Sequence, residues 1–103
     1  MGVMPEKIIV HIDQDLADIT PGYLENRKKD VEFLPQALAN GDFQTLRVLG
    51  HRMKGSGAGY GFDGVSEIGR AIEEAAKHEN REGIEQGIAD LASYLDRLEV
   101  IYE

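Results

Sequence analysis

His51, Lys54 and Gly55 stand together in the most glycine-rich stretch of the chain, in the order H-x-x-K-G. A neutral imidazole nitrogen can attack phosphorus, and an exposed imidazole is mostly unprotonated at cellular pH. An ammonium beside it disfavours the imidazolium and offsets the charge of a phosphoryl group during and after transfer. On a helical wheel of about 100° per residue, His51 points away from Leu46 and Met53. Arg47 and Lys54 are its helical neighbours, and Gly55 and Ala58 lie on the same outward side. Phe43 to Phe62 holds Arg47, Arg52 and Lys54 and no acid, so this stretch carries +3 of a total of -8, leaving -11 for the remainder. The missing side chain at Gly55 leaves room for another protein to reach the imidazole. No base, metal or pocket is evident nearby, so the transfer machinery is expected on that partner.

Other chemistries fit the residues less well. Gly59, Gly61 and Gly64 spell G-x-G-x-x-G, but an amphipathic helical stretch precedes them where a dinucleotide site needs a buried strand. Five residues after Gly50 comes Gly55 followed by Ser56, without the lysine of a P-loop. The acids at Asp13, Asp15 and Asp18 lack the glycine and terminal glutamate of a calcium loop, and no Glu-x-x-His pair marks a di-iron bundle. No metal site is expected. His11 and His78 have no motif around them.

The elements that must carry the histidine are helices. Ile84, Ile88, Leu91, Leu95, Leu98 and Tyr102 recur at steps of four and three, which predicts a long amphipathic helix reaching Tyr102. Val65, Ile68, Ile72, Ala75 and Ala76 repeat the pattern, with Asp63 placed to cap the helix and Asn80 in the gap that follows. Phe43, Leu46, Leu49, Gly50, Met53, Gly57 and Tyr60 share a third face, introduced by Asn40, Gly41 and Asp42 as a C-cap glycine and an N-cap acid. Thr20 and Pro21 suit the N-cap and first position of a helix carrying Leu24, Val31, Leu34 and Leu38, with a kink or break expected at Pro35. Six of the twelve glycines lie between Gly50 and Gly64. Gly50 and Gly57 fall on the apolar side, where they would admit a neighbouring helix. Four amphipathic helices with short connections predict an all-α, up-down antiparallel four-helix bundle. Ile8 to Ile12 is rich in β-branched residues, but a lone strand is marginal, so an extended arm or short helical lead-in is expected there.

Composition narrows the partners. The chain of 103 residues suits one domain, 1–103, with its core over about 18–102. It has no cysteine, hence no disulfide or thiolate zinc site. An excess of 19 acids over 11 bases argues against nonspecific nucleic-acid binding. No run approaches the roughly 20 apolar residues of a membrane span, and the apolar stretch after Lys7 is too short for a signal peptide. A cytoplasmic protein is expected. Nothing marks a dimer seam, which reads as a monomer.

The pattern formed by His51, Lys54, Gly55 and Gly61, with Val65, Ile68, Ile72 and Glu73 in the next helix, resembles the histidine phosphotransfer (HPt) domains of two-component phosphorelays. The resemblance covers roughly Asp18 to Tyr102. It implies His51 as phosphoacceptor, Lys54 as the charge near the phosphoryl group, Gly55 as the clearance position and Gly61 as the turn after the histidine helix. Arg47, Arg52 and Ala58 are expected to face the partner. The family exchanges its phosphoryl group with an aspartate on a response-regulator receiver domain, which supplies Mg²⁺ and most of the catalysis; a sensor histidine kinase is a second possible partner. Such a protein is a carrier, not an enzyme, and binds no cofactor of its own. The alternative is a helical docking module that keeps the fold without phosphotransfer.

Overall fold

Four helices joined by short turns account for most of the chain: α1 (Thr20–Ala39), α2 (Phe43–Gly59), α3 (Asp63–Lys77) and α4 (Arg81–Arg97). The computed structural model describes residues 6–103. Helix α1 packs on α2 and α4, and α3 packs on the same two, closing a four-helix bundle of the predicted all-α class. Leu34, Leu46, Met53, Phe62, Val65, Ile72, Ile84 and Leu91 fill its centre almost without solvent contact.

The turns follow their local chemistry. Gly41 adopts a φ of 67°, the left-handed conformation that favours glycine after a helix end. Asp42 then caps α2, accepting hydrogen bonds from the backbone N–H of Thr45 at 3.1 Å and its hydroxyl at 2.6 Å. Asn80 caps α4 through the N–H of Gly83. Gly61, at φ 91°, makes the tight turn between α2 and α3. At that φ any side chain would be strained, and a Cβ would also press on Cδ1 of Ile12, 2.5 Å away.

Several boundaries differ from expectation. Helix α1 is not broken at Pro35 but runs on to Ala39. Leu34, Ala37 and Leu38 are buried there, and a guanidinium N–H of Arg81 donates to the carbonyl of Leu38 at 2.9 Å. Packing of this last turn outweighs the roughly 3 kcal/mol that an interior proline costs. Thr20 does not cap α1. It is the first helical residue, fully buried, and its hydroxyl donates to the carbonyl of Leu16 in a preceding 3₁₀ turn, Gln14–Leu16. Asp63 likewise lies inside the first turn of α3 behind Phe62, where a negative charge suits the positive end of the helix dipole.

The last helix stops at Arg97, and Leu98–Tyr102 forms a strand, β2. A spacing of four puts two residues on one face in a helix and in a strand alike, so Leu98 and Tyr102 extend the stripe of α4 in sequence without extending the helix. The partner of β2 is Ile8–Ile12, which is a strand, β1, rather than an arm or helical lead-in. The two run parallel, with Ile8 beside Leu98 and Ile12 beside Tyr102. Ile12 closes into the core at 1% exposure, while Ile9 and Ile101 face outward.

Candidate functional site

Helices α2 and α3 approach so closely that only glycine fits the seam. A Cβ on Gly50 would lie 2.6 Å from the backbone nitrogen of Glu73 and 2.8 Å from the carbonyl of Gly69. One on Gly69 would lie 2.5 Å from the nitrogen of Lys54, and one on Gly57 would lie 2.5 Å from that of Ser66. The Ser66 hydroxyl fastens the end of the seam, accepting from the N–H of Ala58 at 2.7 Å and donating to the carbonyl of Lys54 at 2.9 Å. On the other side of α2, Tyr23 of α1 stacks on Tyr60 with ring centroids 4.1 Å apart and shares a 2.9 Å hydrogen bond with the Ser56 hydroxyl. The histidine helix is thus held from both sides.

Close approach brings a carboxylate of α3 to the histidine of α2. Glu73 places one oxygen 2.8 Å from Nδ1 of His51 and the other 2.8 Å from Nζ of Lys54. Its side chain is 11% exposed, against 67% for His51. The Lys54 ammonium, hydrogen-bonded to Glu73, holds the carboxyl below the usual glutamate range; partial burial opposes this and the His51 bond adds to it. An ionised carboxylate only accepts hydrogen bonds. Nδ1 of His51 must therefore be the donor, and in the neutral ring this leaves Nε2 with a free lone pair. The group oriented by Glu73 is thus an exposed nucleophilic nitrogen.

Around it, Arg47, Val48, Arg52, Glu73 and Lys77 line with His51 a shallow concavity of about 350 Å³. Arg47 and Arg52 are exposed, as residues expected to face a partner should be. Gly55 and Ala58 are exposed too, and a Cβ on Gly55 would meet nothing within 4 Å, so the surface beyond His51 is open. Gly61 stands apart, at the turn. Lys54 does not face the imidazole as a free repelling charge, because the Glu73 carboxylate lies between them. Counting charge along α2 alone made the surroundings of His51 wholly basic; the acid comes from another helix.

Glu73 and Lys77 are the residues whose part in the site sequence reasoning missed. The resemblance marks Glu73 only as a position in the helix that follows the histidine. A signal existed: Gly69, Ile72, Glu73 and Ala76 share the buried face of α3, and a glutamate in that phase needs a buried or bridging partner. Lys77 carries no comparable mark, being one more charge at a helix end.

The family model described as Hpt domain matches residues 22–100, and the chain belongs to that family. Its general role is phosphotransfer in phosphorelays. No curated protein and no solved structure matches the chain with significance. No helix among the described residues is long and apolar enough to cross a membrane.

Proposed function

We propose that this chain is a phosphorelay intermediate that takes a phosphoryl group on Nε2 of His51 from the aspartyl phosphate of a receiver domain and passes it on to another aspartate. The observation that carries this reading is the Glu73 bridge, which fixes the proton on Nδ1 and leaves Nε2 bare on an open surface. In the transfer, the Nε2 lone pair forms the N–P bond as the bond from phosphorus to the aspartyl oxygen breaks, and the carboxylate leaves with that electron pair. Nε2 carries no proton to lose, so no general base is needed on either protein. Positive charge develops on the ring as the N–P bond forms, and the Glu73 carboxylate faces it across the Nδ1–H bond. The same charge makes the ring a good leaving group for the return step.

Lys54 has two roles in this account. Its bond to Glu73 keeps that carboxylate ionised, and its ammonium sits one helical turn from the nitrogen that bears the phosphoryl group. Arg47, Arg52 and Lys77 face the acidic pocket in which the receiver holds its Mg²⁺, and Gly55 and Ala58 let that pocket approach. The chain acts as a carrier, with catalysis supplied mainly by the receiver or by a kinase. The test is incubation with a panel of phosphorylated receivers and autophosphorylated kinases. An acid-labile, base-stable phosphate is expected on His51 and none on His51→Gln, which keeps its fold because the side chain faces solvent. A chain that acquires no phosphate from any donor, or a His51→Gln variant that still does, refutes the proposal.

A further inference from the structure

Cations from two helices line the concavity beside His51, and one of them, Lys77, combines an uncommitted ammonium with a direction towards the imidazole. Seam contacts join Gly50 to Glu73, Lys54 to Gly69 and Gly57 to Ser66. Helices α2 and α3 are therefore antiparallel, and Leu46 and Arg47 lie level with Lys77 and Ala76. Side chains on a helix lean towards its N-terminus. His51 thus leans along α2 towards the level of Arg47, while Lys77 leans along α3 the opposite way, back towards Glu73. The imidazole and the ammonium converge from the two helices. The lean of Lys77 is visible in its one ion pair among the described residues: Nζ lies 3.9 Å from the Glu74 carboxylate, three positions back and too far for a hydrogen bond. The other cations are committed or turned aside. Lys54 does not line the concavity, and its ammonium is held on Glu73 at 2.8 Å. Arg47 leans the same way as His51 but one turn further on, where its guanidinium reaches Gln44 at 3.5 Å. Arg52 is set about 100° round α2 from His51 and lines a second hollow with Asn26 and Asp30 of α1.

We infer that Lys77 is the residue that holds the phosphoryl group on His51, and that Lys54 acts on the reaction mainly through Glu73. The assignment rests on the carrier reading of His51. A phosphoryl group on Nε2 carries close to two negative charges at neutral pH, and it stands beside the concavity that Lys77 lines. The ammonium gives up a weak, exposed contact with Glu74 and donates to a phosphoryl oxygen instead, in a stronger charge-assisted bond. Loss of the group passes through a loose, metaphosphate-like state, so the ammonium stabilises the bound dianion more than the departing group. Lys77 accordingly prolongs the life of the phosphohistidine until a receiver takes the group.

The test phosphorylates the full chain with phosphoramidate, which needs no partner protein: the Nε2 lone pair forms the N–P bond as ammonia leaves with the electron pair of the broken P–N bond. Phosphorus NMR at mildly alkaline pH reads the lifetime of the product, and nitrogen shifts of the unmodified chain read the His51 tautomer. Lys77→Met is expected to shorten the lifetime about fivefold and Lys77→Arg to keep it within about twofold of the parent, with the tautomer unchanged in both. Lys54→Met is expected to disturb the tautomer. Lys77 is exposed at the last position of α3, so its variants keep the fold. A parental lifetime in Lys77→Met, or a tautomer disturbed as much as in Lys54→Met, overturns the assignment. Titration of the unmodified chain with tens of millimolar inorganic phosphate does not depend on the carrier reading. Shifts of the Lys77 ε-methylene without those of Lys54 support the assignment, and shifts of Lys54 alone or of neither overturn it. A chain that phosphoramidate leaves unmodified speaks against the carrier reading, and the phosphate titration then decides the role of Lys77 separately.

Discussion

Replacing Gly50 by alanine tests whether the α2–α3 seam is what sets the proton on His51. The added Cβ would stand 2.6 Å from the backbone nitrogen of Glu73, and ordinary contact begins at 3.4 Å, so the backbones must part by about 0.8 Å. The atoms in the way belong to main chain, and no rotamer change can relieve them. Overpacking of this kind costs about 1–3 kcal/mol, against which alanine returns about 1 kcal/mol of helix propensity. A net loss of up to about 2 kcal/mol lowers the melting temperature of a domain this size by up to about 15 °C. The displaced residue is Glu73 itself. If its carboxylate recedes by the same 0.8 Å, its 2.8 Å contact with Nδ1 opens to about 3.6 Å and ceases to be a hydrogen bond. Nitrogen chemical shifts of the His51 ring should then report a tautomer mixture where the parent shows protonated Nδ1, and the phosphotransfer rate should fall. Gly55→Ala is the control, because its Cβ meets nothing within 4 Å and it should gain stability instead. A Gly50→Ala chain with the parent's melting temperature and tautomer would refute the seam argument.

Three further outcomes follow from the same geometry. Gly55→Leu should keep or raise the melting temperature of the parent yet slow transfer from a receiver, as stopped transfer assays on gels would show, because the side chain fills the approach to His51. Glu73 is held below its unfolded range by the Lys54 bond, so it stabilises the fold above the ordinary glutamate pKa and loses that contribution as pH falls through its depressed folded value. Glu73→Gln should accordingly flatten the acid limb of a stability-versus-pH curve measured by thermal unfolding, and a limb unchanged in slope would contradict the Lys54 assignment. Asp42, lowered by its bonds to Thr45, should add to the same limb, so that Asp42→Asn also shallows it.

How far the sequence revealed this site depends on the range of each interaction. The exposed imidazole, its lysine at the third position and the open glycine at the fourth all lie on one helix, where the 100° wheel is a reliable ruler. The seam glycines were legible as small residues on the apolar phase of α2, although Gly69, their counterpart on α3, was not. The bridging carboxylate was harder. Glu73 reaches His51 across twenty-two positions, and only its place on a buried stripe distinguished it from the exposed acids around it. The strand pair was further out of reach. Ile8–Ile12 had the β-branched content of a strand but no local partner, and the residues that pair with it were already explained as the end of a helical stripe.

The glycines of α2 divide by what surrounds them, and that division links fold to chemistry. Each costs the isolated helix up to about 1 kcal/mol. At Gly50 and Gly57 the cost secures backbone contact with α3, without which Glu73 could not reach both His51 and Lys54 from the neighbouring helix. At Gly55 and Gly59 a side chain would meet no atom of this chain within 4 Å. Nothing within the folded domain accounts for leaving those two positions bare. On the proposed function the benefit is collected when a receiver lies against the helix, since Gly55 clears the approach to His51. A stability scan alone can test this division: alanine at 50 and 57 should destabilise by up to about 2 kcal/mol per site, and alanine at 55 and 59 should stabilise by about 0.5–1 kcal/mol per site. Stabilisation at the first pair would mean that the helices have room to spare, and the geometry that orients the imidazole would lose its cause.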